Sequence, residues 1–151
     1  MKFTLSWLKR FLETDASLAE IEHRLSHIGL EVEEIVDRRK DFADFMVAEI
    51  ISAEPHPNAD KLKLCQVNNG QETLQIVCGA PNARAGIKVV LAPVGAVIPN
   101  GDFKIKASEI RGVKSNGMMC SEQELNIGSD SDGIIELPES AEVGGDFLHF
   151  Y

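Results

Sequence analysis

Residues 61–114 carry eight bases, Lys61, Lys63, Arg84, Lys88, Lys104, Lys106, Arg111 and Lys114, against three acids, while the formal net charge of the whole chain is −9. Ammonium and guanidinium groups gathered in one stretch suit one chemistry above others: they take the place of the counterions around phosphates. Lys61 and Lys63, and again Lys104 and Lys106, stand two residues apart, the spacing that puts both side chains on one side of a strand. With Leu62 and Leu64 turned to the core, Lys61 and Lys63 point outward. With Phe103, Ile105 and Ala107 inward, Lys104 and Lys106 do the same. If the two strands share one open face, four ammonium groups form a track for phosphates. The plainer reading of the same lysines is an exposed sheet kept soluble and unpaired at its edges.

A second constellation follows in "RGVKSNGMMCS". Ser115 and Asn116 offer donors to a phosphate or a base edge, and Arg111 and Lys114 add charge. Gly112 and Gly117 permit close backbone approach or a positive φ. Met118 and Met119 either pack under a base or fill the core. Aromatic residues are 6% of the chain, and Phe103 is the aromatic of the basic stretch, placed inward by the alternation. Contact with a nucleic acid is therefore expected to follow charge and shape, directed at an RNA backbone rather than at its bases.

Other chemistries find less support. The chain offers no paired carboxylates, no nucleophile beside a base and no phosphate loop, so no catalytic residue is assigned. Cys65, Cys78 and Cys120 are odd in number and lie far apart, without the close pair of a zinc or disulfide framework. They read as small buried hydrophobes, and no metal site is assigned. Cys78, in "IVCGAPN", has apolar neighbours that raise a thiol's pKa and no histidine close by. His23 and His27 are four apart on a helical stretch but off its apolar stripe, and are read as exposed.

The elements that must position the bases are legible in outline. "TLSWLKRFLE" places Leu5, Leu8 and Leu12 at helical spacing, with Thr4 or Ser6 as cap. In "SLAEIEHRLSHIG", Ser17 and Glu20 fit a capping box, Leu18, Ile21, Leu25 and Ile28 form the stripe, and Gly29 is the stop. "LEVEEIVDRRKDF" reads as a short strand and connector. From about residue 42 the signal is β. "FMVAEIISAE" is one run. "KLKLCQVNNGQETLQIVCG" is a hairpin with Asn69-Gly70 in the two positive-φ positions of a type I′ turn. Before it, Pro55 and Pro57 fix two φ angles and Asn58 and Asp60 suit turns, so "HPNADKL" is a rigid corner. "IKVVLAPVG" is a third run, and "AVIPNGDFKIKASEIRG" turns at Asn100-Gly101. "CSEQELNIG" is a helical turn or two with a Ser121–Glu124 box and Gly128 as stop, and "GIIELP" is a last strand. Five or six strand runs with one short helix predict an α+β, mainly β fold: a partly open, five-stranded Greek-key barrel of the oligonucleotide-binding (OB) type over 41–151, after a small helical segment over 1–40. No apolar run approaches the roughly 20 residues of a membrane span, and the start lacks a secretory pattern, so the default location is cytoplasmic.

"HPNADKLKLCQV", "QIVCGAPN", "FKIKASEIRGVKSNGMMCSEQEL" and "DGIIELP", in this order, resemble the tRNA-binding domain shared by the β subunit of bacterial phenylalanyl-tRNA synthetases, the C-terminal extension of methionyl-tRNA synthetases and the endothelial monocyte-activating polypeptide. The opening "MKFTLSWLKRF…HIGLEVEEI", with its "WLK" and "GLEVE", is similar to the start of the phenylalanyl β subunit. The resemblance implies an α2β2 ligase that activates phenylalanine with ATP and Mg²⁺ and transfers it to tRNA. Its partners are tRNA and the α subunit, not DNA or a membrane. Catalytic and editing residues lie outside these 151 residues, which read as an N-terminal fragment: 1–40 an incomplete part of a first domain, 41–151 a non-catalytic OB-fold tRNA-binding domain without a cofactor of its own. The residues expected to meet tRNA are Lys61, Lys63, Arg84, Lys88, Lys104, Lys106, Arg111, Lys114, Ser115 and Asn116. The alternative is a structural or protein-interaction domain of the same synthetase that scarcely touches tRNA.

Overall fold

A computed structural model describes residues 2–150, and the chain divides between Asp37 and Arg38 into two units. In the first, Thr4 caps α1 (Leu5–Leu8), its Oγ1 accepting from Trp7 N at 3.1 Å. The longer helix α2 (Leu18–His27) has the capping box that Ser17 and Glu20 predict: Ser17 N donates to Glu20 Oε2 at 2.8 Å and Glu20 N to Ser17 Oγ at 3.3 Å. Gly29, at φ +88°, ends it. Leu30 N donates to Leu25 O and Gly29 N to Ser26 O, the paired bonds of a Schellman stop. No side chain of either helix is buried; Ile21 and Leu25 are half-buried. The short strand expected after Gly29 is not formed: residues 31–37 have no ladder partner among the described residues, and a strand exists only through its ladder.

The second unit is β. Its strands are β1 (Met46–His56), β2 (Ala59–Asn68), β3 (Thr73–Cys78), β4 (Lys88–Ala92), β5 (Val97–Ile98), β6 (Phe103–Lys104), β7 (Ser108–Ile110), β8 (Val113–Ser115), β9 (Met118–Met119) and β10 (Glu136–Leu137). Among the described residues they form an antiparallel sheet in the order β10-β4-β1-β2-β3, with β9 also on β4, and two separate hairpins, β5–β6 and β7–β8. The ladder does not run continuously around. The free side of β3 is bridged instead by Asn116 N donating to Gln75 O at 2.9 Å and Val77 N donating to Ser115 Oγ at 3.1 Å.

Burial on both faces explains why "KVVLA" shows no alternation. Ala48, Ile50, Cys65, Val67, Ile76, Val89 and Leu91 fill the inside of the curved sheet. Val47 on β1 and Val90 on β4 belong to a second cluster with Phe42, Phe45, Ile98, Leu125 and Phe147. That cluster is centred on three rings: Phe42 meets Phe45 and Phe147 edge-on at 5.6 and 5.5 Å. The segment before Phe147 is stitched to β1, since Val47 N donates to Gly145 O at 3.0 Å and Gly144 N to Val47 O at 2.8 Å. Each fully buried Val, Leu, Ile or Phe here contributes about 1.5–3 kcal/mol relative to exposure.

Three turns differ from expectation. Between β2 and β3, Gly70 has a positive φ but Asn69 does not. Asn69 Oδ1 instead accepts from Gln71 N and Glu72 N, so its side chain builds a four-residue loop in place of a type I′ turn. Between β5 and β6 the positive φ values fall on Gly101 and Asp102, because Asn100 is occupied in anchoring the tip: its N donates to Glu124 O and its Nδ2 to Gln123 O. The Ser121–Glu124 box is present, yet the segment stays a series of turns, and Asn126 at φ +58° rather than Gly128 takes the left-handed stop.

Candidate nucleic-acid interface

The corner "HPNADKL" is organised around His56. It is 5% exposed, so it is a structural centre and not a surface ligand. Its Nδ1 accepts from Asn58 N at 3.0 Å, which leaves Nε2 as the protonated nitrogen; Nε2 in turn donates to Ile110 O at 3.0 Å. Asn58 Nδ2 donates to Arg111 O at 3.0 Å. Two side chains of the β1–β2 corner therefore hold the β7–β8 hairpin at its tip. There Arg111 at φ +50° and Gly112 at φ +84° make the turn. A β-carbon on Gly112 would lie 3.7 Å from Asn58 Nδ2, so the two turns are in van der Waals contact. Nothing in the residue types of the corner announces that His56 is its pin; the hint is a histidine between two prolines, where a turn amide needs an acceptor.

This clamp sets the β7–β8 hairpin, which carries Arg111 and Lys114, against the corner that leads into Lys61. The β1–β2 register jumps from Pro55↔Lys63 to His56↔Ala59, so residues 60–62 bulge from the ladder and Lys61 sits exposed on the bulge. Arg111 is exposed at the hairpin tip, and Lys114 is exposed on β8 across from Glu109. Among the described residues, none of these three side chains has a hydrogen-bond or ion-pair partner.

Lys63 is different. Outward placement of the Lys61–Lys63 pair assumed that Leu62 and Leu64 faced the core, but the buried positions of β2 are Cys65 and Val67, on the same side of the strand as Lys63. Lys63 is paired across with Cys78 and is half-buried. Its Nζ donates to Ala83 O at 2.6 Å and Pro81 O at 3.1 Å, closing the "GAPNA" loop. The period of two is right and its phase is inverted. Two other bases are also engaged. Arg84 makes a fork-to-fork pair with Glu136, both bonds 2.8 Å; hydrogen bonding from Arg84 holds the Glu136 carboxyl below the usual carboxylate range. Lys88 Nζ donates to the carbonyls of Glu139 and Ala141.

Lys104 and Lys106 are exposed and without a side-chain partner among the described residues, but they belong to the β5–β6 hairpin and its continuation, not to the sheet that holds β2. One continuous four-lysine face is therefore not formed. Phe103 lies on the inward side as expected, across from buried Ile98, and Ile105 is buried, yet Phe103 itself is 46% exposed at the rim.

Ser115 and Asn116 have structural work. The Ser115 hydroxyl is buried and spent on Val77 N and Gly117 O, and the Asn116 N–H is spent on β3. Gly117 at φ +145° passes so close to Ala92 O that a β-carbon would sit 3.1 Å from it. Met119 is a core residue, and Met118 packs against the core from its edge. Cys65, Cys78 and Cys120 are free and buried. Burial pushes the Cys65 thiol up to about 11 and raises the other two. A residue whose role the types did not reveal is Asn82. Its Nδ2 donates to Ile134 O at 2.8 Å and its Oδ1 accepts from Ile134 N at 3.0 Å, so one side chain pairs with that backbone as a strand would. Among the described residues no three His, Cys, Asp or Glu side chains gather in a way that could hold a metal ion, and no helix is long and apolar enough to cross a membrane.

Residues 45–146 match the family described as "Putative tRNA binding domain". Over all 151 residues the chain is 64% identical to the phenylalanine–tRNA ligase beta subunit of Rickettsia bellii, of which it covers 17%. It is 56% identical over 144 residues, 95% of its length, to the protein of the same name from Rhodospirillum rubrum, of which it covers 18%. The chain thus spans under a fifth of the length of these relatives. Among solved structures, a MetRS-related protein from Pyrococcus horikoshii shares the fold at a TM-score of 0.52 and 24% identity, over 74% of this chain and 95% of the other.

Proposed function

The chain belongs to the tRNA binding domain family, and from that premise we propose that it is the non-catalytic tRNA-binding module of a phenylalanine–tRNA ligase, meeting the tRNA backbone through Lys61, Arg111 and Lys114 at the clamped corner and through Lys104 and Lys106 on the β5–β6 hairpin. The observation that carries the reading is the division of labour among the eight bases. Three are locked into loops or an ion pair, and five, on the β1–β2 bulge and the β5–β6 and β7–β8 hairpins and their flanks, are exposed and without a side-chain partner among the described residues of a net-acidic chain. The hairpin tip that carries Arg111 is moreover held by two side-chain bonds, from His56 to Ile110 O and from Asn58 to Arg111 O, so that this cation stands on a fixed backbone. Lys63, Arg84, Lys88 and Ser115 are already engaged within the protein and are not part of the proposed contact.

The 64% identity to a ligase beta subunit supports membership in an aminoacyl-tRNA ligase that joins phenylalanine to tRNA with ATP and Mg²⁺, in the cytoplasm, as an α2β2 assembly. Among the described residues no group of His, Cys, Asp or Glu side chains fits a metal ion.

Affinity should be electrostatic and weak, on the order of 10⁻⁴–10⁻⁶ M, because residues 115–151 carry eight acids and no base and repel phosphates. Five phosphate contacts at about −0.7 to −0.9 each predict a slope of log affinity against log salt of about −3.5 to −4.5. A salt titration of tRNA binding tests this. Replacing Arg111 and Lys114 by Glu should lower affinity and flatten the slope by about 1.4 to 1.8 units. Unchanged affinity and slope would remove the clamped corner from the contact. Salt-independent or undetectable binding by the unaltered chain would favour the second reading, a protein-interaction domain, which the acidic 115–151 region supports.

A further inference from the structure

We propose that Phe103 is a stacking platform for one unpaired base of the bound RNA, so that this domain reads an unstacked nucleotide in addition to the phosphate backbone. The inference rests on the tRNA-binding reading and deepens it. Phe103 is 46% exposed at the start of β6, directly after the turn that ends at Asp102. On its inner side it lies across from fully buried Ile98, and a β-carbon on Gly101 would be 3.4 Å from its Cδ1. Phe103 therefore shares its strand face with buried Ile98 and leaves nearly half of its surface open to solvent.

The mounting is stiff. The hairpin tip is tied by Asn100 to Glu124 O at 3.1 Å and to Gln123 O at 3.0 Å. At its base, Gly95 N donates to Ile105 O and Ile105 N to Ala96 O, both at 2.8 Å. The backbone that carries the ring is thus anchored at both ends of the hairpin, and an aromatic side chain has only two χ angles to order when a base lies on it. Lys104 and Lys106, on the other side of the same short segment, have no partner among the described residues, and their flexible stems can reach the phosphates flanking a base on the ring. One carboxylate, that of Asp102, accompanies them. The pairing of an exposed ring with two cations on one hairpin matches an unpaired nucleotide in both its apolar face and its charge.

The test uses the 151-residue chain with three probes: tRNA, a short single-stranded RNA and a blunt RNA duplex of equal charge. Phe103→Leu retains the bulk over Ile98 and lacks a π face. Phe103→Ala removes both, and thermal melts of the variants check that the fold persists. The expected result is a loss of affinity of about 5- to 150-fold for tRNA and the single strand in both variants, with the salt slope unchanged and duplex binding unaffected. Phe103→Trp should retain binding, and its added fluorescence over that of the unaltered chain should be quenched by the single strand and not by the duplex. Equal affinity of the unaltered chain and Phe103→Leu for tRNA and for the single strand overturns the platform while leaving backbone binding in place. Absence of RNA binding by the unaltered chain overturns the tRNA reading and the platform together.

Discussion

The helical unit and the β unit answer the same question in opposite ways. Helix α2 has each local signal a helix can have: a reciprocal Ser17–Glu20 box, an amphipathic stripe and a Schellman stop at Gly29. It nevertheless buries no side chain, and Phe3, Trp7, Phe11, Leu12, Ile28 and Leu30 are exposed beside it. The β unit has poorer local grammar, with two-residue strands, displaced turn glycines and a bulged corner. Yet it buries Val47, Ile50, Val67, Ile76, Leu91 and Phe147 completely. Caps and stops decide which conformation a segment adopts when it is ordered. Apolar area removed from water decides how strongly it is held.

The largest effect that separates the two units should come from their apolar side chains. Phe147→Ala removes a ring that Phe42 and Phe45 surround and should cost the β unit about 3–5 kcal/mol. Leu25→Ala, at a half-buried position of the otherwise exposed α2, should cost about 1 kcal/mol or less. Chemical denaturation followed by hydrogen exchange checks both, with amides from Leu18 to Ile28 exchanging well before those around Leu64 and Val77. Equal costs and equal protection would mean that the helices possess a core of their own.

A smaller effect tests the closure of the sheet. Gly117→Ala forces a side chain into positive φ and to within 3.1 Å of Ala92 O, and should cost about 1–3 kcal/mol. A thermal melt showing no loss would mean that the β8–β9 crossing is free to move, and the β unit would then be less tightly determined than its burial implies.

The smallest effect concerns acid. Hydrogen bonds from Ser17 hold the Glu20 carboxyl below its usual range. A depressed carboxylate favours the folded helix above its unfolded pKa, and that contribution disappears as pH falls through the lowered folded value. The protection of the Ser17 and Glu20 amides should therefore fade below about pH 4. Glu136, depressed by its bonds from Arg84, shifts in the same direction in the β unit, but the core there should keep the sheet folded. Circular dichroism and amide exchange across an acid titration check the difference. Simultaneous loss of both units at one pH would erase it.

Much of the candidate interface was legible as residue type and little of it as orientation. The eight bases, the β2–β3 and β5–β6 hairpins and the existence of a rigid corner at "HPNADKL" all follow from composition, spacing and turn chemistry, whereas the β7–β8 hairpin that carries Arg111 and Lys114 does not. Four expectations fail for one shared reason. Lys63 turns inward, Ser115 is buried, Arg84 is paired with Glu136 and Lys88 is occupied by loop carbonyls because each depends on which segment lies across from it, and that segment is distant in the chain. The alternation of Lys61 to Leu64 fits two phases equally well. Cys65 and Val67 choose between them by facing Ile76 and Leu74, and the bulge at residues 60–62 then releases Lys61 from the choice.

By itself the sequence determined the helix α2 with both its ends, the strand-rich character of residues 46–137, the buried neutral thiols and the basic stretch in an acidic chain, because each of these rests on interactions within a few residues or on composition. Only the tertiary structure decided which cations remain free to meet a phosphate. Whether an ammonium faces solvent or a backbone carbonyl is set by partners 18 to 53 residues away, such as Pro81 for Lys63 and Ala141 for Lys88. Local spacing cannot encode such a distant partner, since side-chain periodicity specifies that neighbours alternate but not what lies across from either side.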